Sequence, residues 1–254
     1  MRLIQLSDIH LSKDNLTNLK NFYIEALKKD LKDFHNTKPV DLILITGDLV
    51  DKGGISFGVD NPYEIFINEF VIPISSELNI PKDKVLFVPG NHDIDRNEID
   101  EIYEEGLIGK LKTIESVNQH IENNKKGFTV SNKRIQKFKD FERDYHKDTI
   151  NYHYSNNESI FIQEYGSHKI GFLLMNDSWR CSNELKVENH FVGINQLFNA
   201  KNIFDKDKTD INIVLFHHPI EFFNETERGE IKNILQKFNF ELVICGHTHK
   251  SNLN

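Results

Sequence analysis

The chain has 254 residues, near the upper size for one hydrophobic core, and its 19 Phe with many Ile and Leu supply bulk for a buried sheet. Its 39 acidic side chains outnumber 31 Lys and Arg, a formal charge of -8 that excludes a general binder of nucleic acid or anionic membrane but leaves room for a local cationic site. No apolar run reaches the about 20 residues that span a bilayer. With a first strand expected from Arg2, no signal peptide is expected before it. Cys181 and Cys245 form neither a redox nor a zinc pair, so the sequence points to a reducing compartment, read as the cytoplasm.

In chain order, Arg2 to Leu6 reads as a short strand ending in Ser7-Asp8-Ile9-His10. A helix is expected from about Leu16 to Phe34, where Leu19, Phe22, Tyr23, Ala26, Leu27, Leu31 and Phe34 recur at helical steps. Asp41 to Thr46 is a nearly continuous apolar run, suited to a strand covered on both faces, and ends at Gly47-Asp48-Leu49-Val50-Asp51. Pro62 opens a second helix with Ile65, Phe66, Phe70 and Val71 on one face, and Val85 to Val88 is a third strand. That strand breaks at Pro89-Gly90 and presents Asn91, His92 and Asp93 in a row. The order of strand and helix favours an α/β layer architecture, whose ligands sit beyond the carboxyl ends of the strands.

From Ile94 to about Asn151 the chain is highly charged and helical in spacing, acidic first and basic from Lys125 to Arg143. It reads as an insertion of two or three solvated helices, or as a cap beside the site that attracts an anion. Strands resume as a hairpin, Ser159 to Tyr165 and Lys169 to Met175, closed by Asn176-Asp177-Ser178-Trp179-Arg180. A helix near Ile194 to Ile203 precedes the strand Ile211 to Phe216, which ends at His217-His218-Pro219. A helix at about Arg228 to Phe238 precedes Glu241 to Cys245, which ends at Gly246-His247-Thr248-His249.

The strand ends together supply Asp8, His10, Asp48, Asn91, His217, His247 and His249. Members of an alternate-residue pair at a strand end share a direction, so Asp8 with His10, and His247 with His249, can face one crevice. Mixed carboxylate and imidazole ligands suit Mn, Fe, Zn or Co. Seven ligand groups exceed one tetrahedral site and suit two divalent ions about 3.5–4 Å apart with a shared carboxylate. Two such ions against two carboxylates keep the cluster positive and attractive to phosphate. Each cluster alone is weak, since a histidine at a strand end is more often structural; the series is specific.

The series resembles the calcineurin-like metallophosphoesterase superfamily, here as Asp8-Ile9-His10, Gly47-Asp48-Leu49-Val50-Asp51, Gly90-Asn91-His92-Asp93, His217 and Gly246-His247-Thr248-His249. The resemblance implies a four-layer α/β/β/α sandwich of two mixed sheets with a dinuclear centre between them. It implies Asp8, His10, Asp48 and His249 on one metal and Asp48, Asn91, His217 and His247 on the other, with His218 less suited than His217. Asp51 would orient a ligand or a nearby loop. The metals would lower the pKa of a bridging water to give hydroxide that attacks phosphorus in line. His92, not needed as a ligand, would protonate the leaving group, with Asp93 orienting it, and Arg96 and Arg180 are candidates for phosphate contact.

The family continues with further strands after its last motif, whereas this sequence stops five residues past His249. Residues 1–254 therefore read as one domain with an insertion at about 94–151, and as a front module of a longer protein. The leading expectation is a phosphodiesterase, or phosphomonoesterase, acting on a nucleotide, because Val-Pro-Gly-Asn-His-Asp is similar to bacterial class III cyclic-nucleotide phosphodiesterases. A DNA or RNA nuclease is opposed by the acidic charge and supported by the basic stretch. A sensor or scaffold module is the third alternative. No membrane partner is expected, and oligomeric state is not legible.

Overall fold

Alternation along the strands divides the apolar side chains of the computed structural model into three cores; the structure describes residues 1–182 and 185–248. The first sheet joins β1 (Leu3–Leu6), β2 (Leu42–Thr46) and β3 (Val85–Val88), all parallel, in that order. The second joins β4 (Tyr152–Tyr154), β5 (Ser159–Tyr165), β6 (His168–Leu174), β7 (Ile211–Leu215) and β8 (Phe240–Ile244). Only this sheet is mixed: β4 and β6 run antiparallel to β5, and β7 and β8 continue parallel to β6.

Leu42, Leu44, Leu86 and Val88 face Phe161, Phe172, Leu174 and Leu215 in the core between the sheets. The intervening residues Ile43, Ile45, Val85 and Phe87 face outward into a second core, covered by α2 (Ile24–Thr37), α3 (Pro62–Phe66) and α4 (Ile72–Glu77). On the far side Ile160, Leu173 and Val214 meet α8 (Asn195–Asp207) and α9 (Glu225–Lys237). Strands covered on both faces are apolar at nearly every position, which is why β2 and β3 read as continuous runs. The result is the four-layer arrangement of helices, sheet, sheet and helices.

The first expected helix is longer than its pattern: α1 (Lys13–Asn18), a π turn (Leu19–Tyr23) and α2 follow without a break. Ser12 starts it with a capping box, accepting from the Asn15 N–H at 3.4 Å while Asn15 Oδ1 accepts from the Ser12 N–H at 2.8 Å. Asn15 Nδ2 also donates to the His10 carbonyl at 2.8 Å, tying the helix start to the loop after β1. The two-residue turn of the β5–β6 hairpin is Gly166-Ser167, one residue shorter than expected, with His168 already paired to Tyr165.

The charged segment after β3 forms α5 (Glu101–Lys110), α6 (Ile114–Asn124) and α7 (Gln136–His146), followed by β4, a strand too short to leave a sequence pattern. Its last helix belongs to the outer layer of the first sheet. Phe141 and Tyr145 lie edge-on to Phe87, with centroids at 5.2 and 4.9 Å, and Phe141 stacks on Tyr63 at 4.8 Å. Arg134 is buried against Glu104 at 2.5 Å, and Lys139 is buried against Glu142. Lys125, Lys133, Lys137 and Arg143 pair with Glu122, Glu98, Asp95 and Asp140. Six of the seven basic side chains of the stretch thus pair with acids of the same segment. Among the described residues no helix is long and apolar enough to cross a membrane.

Candidate metal centre

Parallel strands bring the carboxyl ends of β1, β2 and β3 to one edge, and those of β6, β7 and β8 to theirs, so all motifs lie at strand ends. Beyond β1 and β2 the chain keeps pairing: Asp8 N donates to Gly47 O at 3.1 Å, His10 N to Asp48 O at 2.9 Å and Leu11 N to Leu49 O at 3.0 Å. The expected strand-like alternation does not hold there. Asp8, His10, Asp48 and His247 have φ of 58°, 46°, 54° and 72°, left-handed values that cost non-glycine residues energy. Four of the expected ligands thus hold their side chains at the sheet edge through locally strained backbone, maintained by the pairing around them.

Asp48 is 1% exposed and central. Its Oδ1 accepts from the His92 N–H at 2.8 Å, while Oδ2 lies 3.3 Å from His217 Nε2 and 3.5 Å from His10 Nε2. Burial by itself pushes the Asp48 carboxyl up; the hydrogen bond and charge of His217, the His92 N–H and His10 outweigh it and hold the group well below the carboxylate range. A Cβ at Gly90 would lie 2.1 Å from Asp48 Oδ1, so only glycine lets this loop pass the carboxylate.

His217 Nδ1 is 2.9 Å from the Thr46 carbonyl, which fixes the proton on that nitrogen. Nε2 then meets Asn91 Oδ1 at 3.1 Å, His247 Nδ1 at 3.2 Å and Asp48 Oδ2 at 3.3 Å. Without a metal, burial pulls the His217 imidazole down, but Asp48 overrides it and raises the pKa to about 9. His247 is held below its ordinary value by burial and by the charge of His217. One proton on His217 Nε2 serves one of these facing lone pairs at a time, whereas a divalent cation serves them together. Carboxylate, imidazole and carboxamide oxygen are donors that fit the expected metals. Asp8, Asp48 and His217 form one cluster with ligand atoms within 4.8 Å, and His10, Asp48 and His92 another, both sharing Asp48. His249 lies outside the described residues.

His92 is oriented differently from expectation. Its Nδ1 sits 2.6 Å from Asp51 Oδ1, and its ring lies edge-on to His10 at 4.4 Å. Asp93 does not orient it. That carboxylate is fully buried and accepts the N–H groups of Gly90 at 2.8 Å, Leu49 at 3.0 Å and Val50 at 3.1 Å. Adjacent side chains point apart here, so Asp93 turns inward to lock the loops after β2 and β3 together while His92 faces the edge. Burial and the charge of Asp48 push the Asp93 carboxyl up to about 7 against those three bonds.

Arg180 does not face a substrate: it is 0% exposed, with Nη1 at 3.4 Å from the Leu111 carbonyl and no substrate-accessible surface. Arg96 is half-buried at the start of the turn Arg96–Glu98, with no hydrogen bond to the ligand cluster among the described residues. Two groups beside the site were not singled out from sequence. Phe222 is 39% exposed, its ring 4.9 Å from that of His247. Asp177 follows β6 and contacts the loop of His217; its signal was a polar cluster after an apolar strand, the same punctuation that marked the ligands.

The sequence matches the family described as calcineurin-like phosphoesterase over residues 1–251. It is also 24% identical, over 262 aligned residues, to a protein of Bacillus subtilis (strain 168) described as "Uncharacterized metallophosphoesterase-like protein YydB". That alignment takes in 100% of this chain and 50% of the relative, so the chain spans about half the length of the curated relative it matches. With the family matched across nearly the whole chain and mixed lone-pair donors gathered at its strand ends, the chain belongs to the calcineurin-like phosphoesterase family.

Proposed function

We propose that the protein is a dinuclear-metal phosphodiesterase acting on a nucleotide or a similar small diester. The observation that carries this is the convergence of Asp48 Oδ2, Asn91 Oδ1 and His247 Nδ1 on His217 Nε2, with His10 on the other side of Asp48. By the family pattern, Asp8, His10, Asp48 and His249 would hold one metal, and Asp48, Asn91, His217 and His247 would hold the other. When bound, the metals supply Lewis acidity toward phosphate oxygens and a water-derived nucleophile at neutral pH.

The chain's own residues do the rest. Asp51 fixes the His92 tautomer with the proton on Nδ1, which leaves Nε2 to carry a proton to the leaving-group oxygen. Asp93 keeps Asp48 and Asn91 in register by joining their loops. Of the two arginines considered for phosphate contact, Arg96 is the one with solvent access. The exposed ring of Phe222 beside His247 offers a stacking face for a base, which supports a nucleotide. A nuclease needs a cationic track, and six of the seven basic side chains from Lys125 to Arg143 are paired with acids of their own segment. We read residues 1–254 as one catalytic domain and as a module of a longer chain. Cys181 and Cys245 are unpaired, which suits a cytoplasmic setting.

The test is hydrolysis by manganese-loaded protein of bis-p-nitrophenyl phosphate, p-nitrophenyl phosphate, cyclic nucleotides, and single- and double-stranded DNA. Metal-dependent cleavage of the diester and of a nucleotide, abolished in Asp48→Asn together with metal uptake, supports the reading. Metal-dependent loss of DNA ends makes the protein a nuclease. Metal uptake without turnover of any ester makes it a binding module.

A further inference from the structure

His217 is held at four points. Its Nδ1 is fixed by Thr46 O, its carbonyl accepts from the Gly246 N–H at 2.9 Å, and its own N–H donates to Asp177 Oδ1 at 3.3 Å. The fourth hold runs through its neighbour: Asp177 Oδ2 accepts both the N–H of His218 at 2.7 Å and Nδ1–H of His218 at 3.0 Å. Asp177 is completely buried, so water cannot replace it for any of these donors. It reaches them because β6 and β7 are parallel neighbours in register, Leu174 against Leu215, which sets the two post-strand loops side by side. The next residue extends the brace across the sandwich. Ser178 Oγ donates to the Pro89 carbonyl at 3.2 Å, at the start of the loop that carries Asn91.

We propose that Asp177 is the positioning residue that sets where His217 presents Nε2 to the metal; the proposal rests on His217 being a ligand. It acts through backbone and through His218, and touches neither substrate nor metal. The neighbouring donors Cys181, His190 and His218 lie within 4.8 Å of one another, which by itself resembles a metal cluster. Both His190 nitrogens, however, face carbonyls, Asp177 O at 2.8 Å and Phe222 O at 3.1 Å, and Asp177 takes His218 Nδ1. The group is therefore the outer part of the brace and not a centre of its own.

The experiment is calorimetric titration of manganese into chelator-stripped wild type, Asp177→Ala, Asp177→Asn and His218→Asn, with thermal melting and circular dichroism of each stripped protein. Asp177→Ala is expected to lose about 10- to 100-fold in affinity at one of the sites, as when a partner of a ligand is removed. Asp177→Asn keeps an acceptor oxygen and is expected to lie between it and wild type. His218→Asn keeps both backbone bonds to Asp177 and loses only the ring bond, so it is expected to lose less affinity than Asp177→Ala; complete loss of a metal there would make His218 the ligand and overturn the proposal. Equal affinities in folded Asp177 variants overturn it while leaving the proposed function intact. A wild type that takes up no metal defeats the proposed function itself. Failure of both Asp177 variants to fold makes the residue a determinant of folding and likewise overturns it. So does a thiolate-to-cobalt charge-transfer band on cobalt loading, which would give Cys181 a metal.

Discussion

Replacing Asp51 by Asn is expected to slow hydrolysis according to how much the leaving group needs a proton. The carboxylate meets His92 Nδ1 at 2.6 Å, the length of a charge-assisted hydrogen bond. Such bonds contribute about 1.5–3 kcal/mol when shielded from water. Here the His92 and Asp51 side chains are 28% and 30% exposed, so solvent screening reduces the figure to about 1 kcal/mol, or roughly 5- to 10-fold in rate. His92→Ala removes the proton donor outright and is expected to cost about 10²- to 10⁴-fold. The assay compares kcat for a diester with an alkyl leaving group and for bis-p-nitrophenyl phosphate, whose nitrophenolate leaves without help. Both variants should lose rate on the alkyl ester and little on the activated one. Equal losses on the two substrates would show that Asp51 does not act through His92. If instead Asp93→Asn gave the leaving-group-dependent loss, the assignment of the two carboxylates would be reversed.

Gly47→Ala places a Cβ 2.3 Å from His217 Nδ1 at a backbone φ of 91°, so the ring must move off Thr46 O. Left-handed strain of about 1–2 kcal/mol and a lost buried bond of about 1–3 kcal/mol should lower the melting temperature and manganese affinity together; unchanged affinity would refute the claim that Thr46 fixes the ring. Arg180→Met should leave diester turnover by the folded protein at the wild-type level, since the guanidinium is 0% exposed and its Nη1 faces the Leu111 carbonyl rather than the strand ends. A selective rise in KM would return Arg180 to the substrate site. For pH, His217 in stripped protein is raised to about 9 from an ordinary 6.5, so its contribution is complete below about 6.5 and is lost as pH rises through about 9. Asp48, depressed, contributes above its unfolded value near 4 and loses its contribution at lower pH, as the proton returns. Melting of stripped protein should therefore peak between these limits and fall by about 3 kcal/mol toward pH 10, a decline that metal loading abolishes. A flat alkaline limb in stripped protein would refute the His217–Asp48 pairing.

Local chemistry made the strands and the ligand types legible in sequence. A parallel strand buried on both faces must be apolar throughout, and a chain leaving it must break and turn, so Leu42–Thr46 followed by Gly47-Asp48 carries its own signature. Partners were not legible, because they lie far along the chain and depend on which loops the sheets bring together. Asp93 stands next to His92 in sequence yet bonds Leu49 and Val50, while Asp51, 41 residues from His92, reaches its ring. Nor was the fate of charge legible at helical spacing. Lys139 and Glu142 share the face that α7 buries, and Arg180 lies in the interior between the buried Trp179 and Cys181. Sequence by itself determined seven of the eight strands among the described residues, the Asp, Asn and His donor types at their ends, and the family. Tertiary packing decided which carboxylate serves His92, which arginine meets water, and that Asp177 stands behind His217, because each is a matter of direction across neighbouring strand ends that spacing along one chain cannot encode.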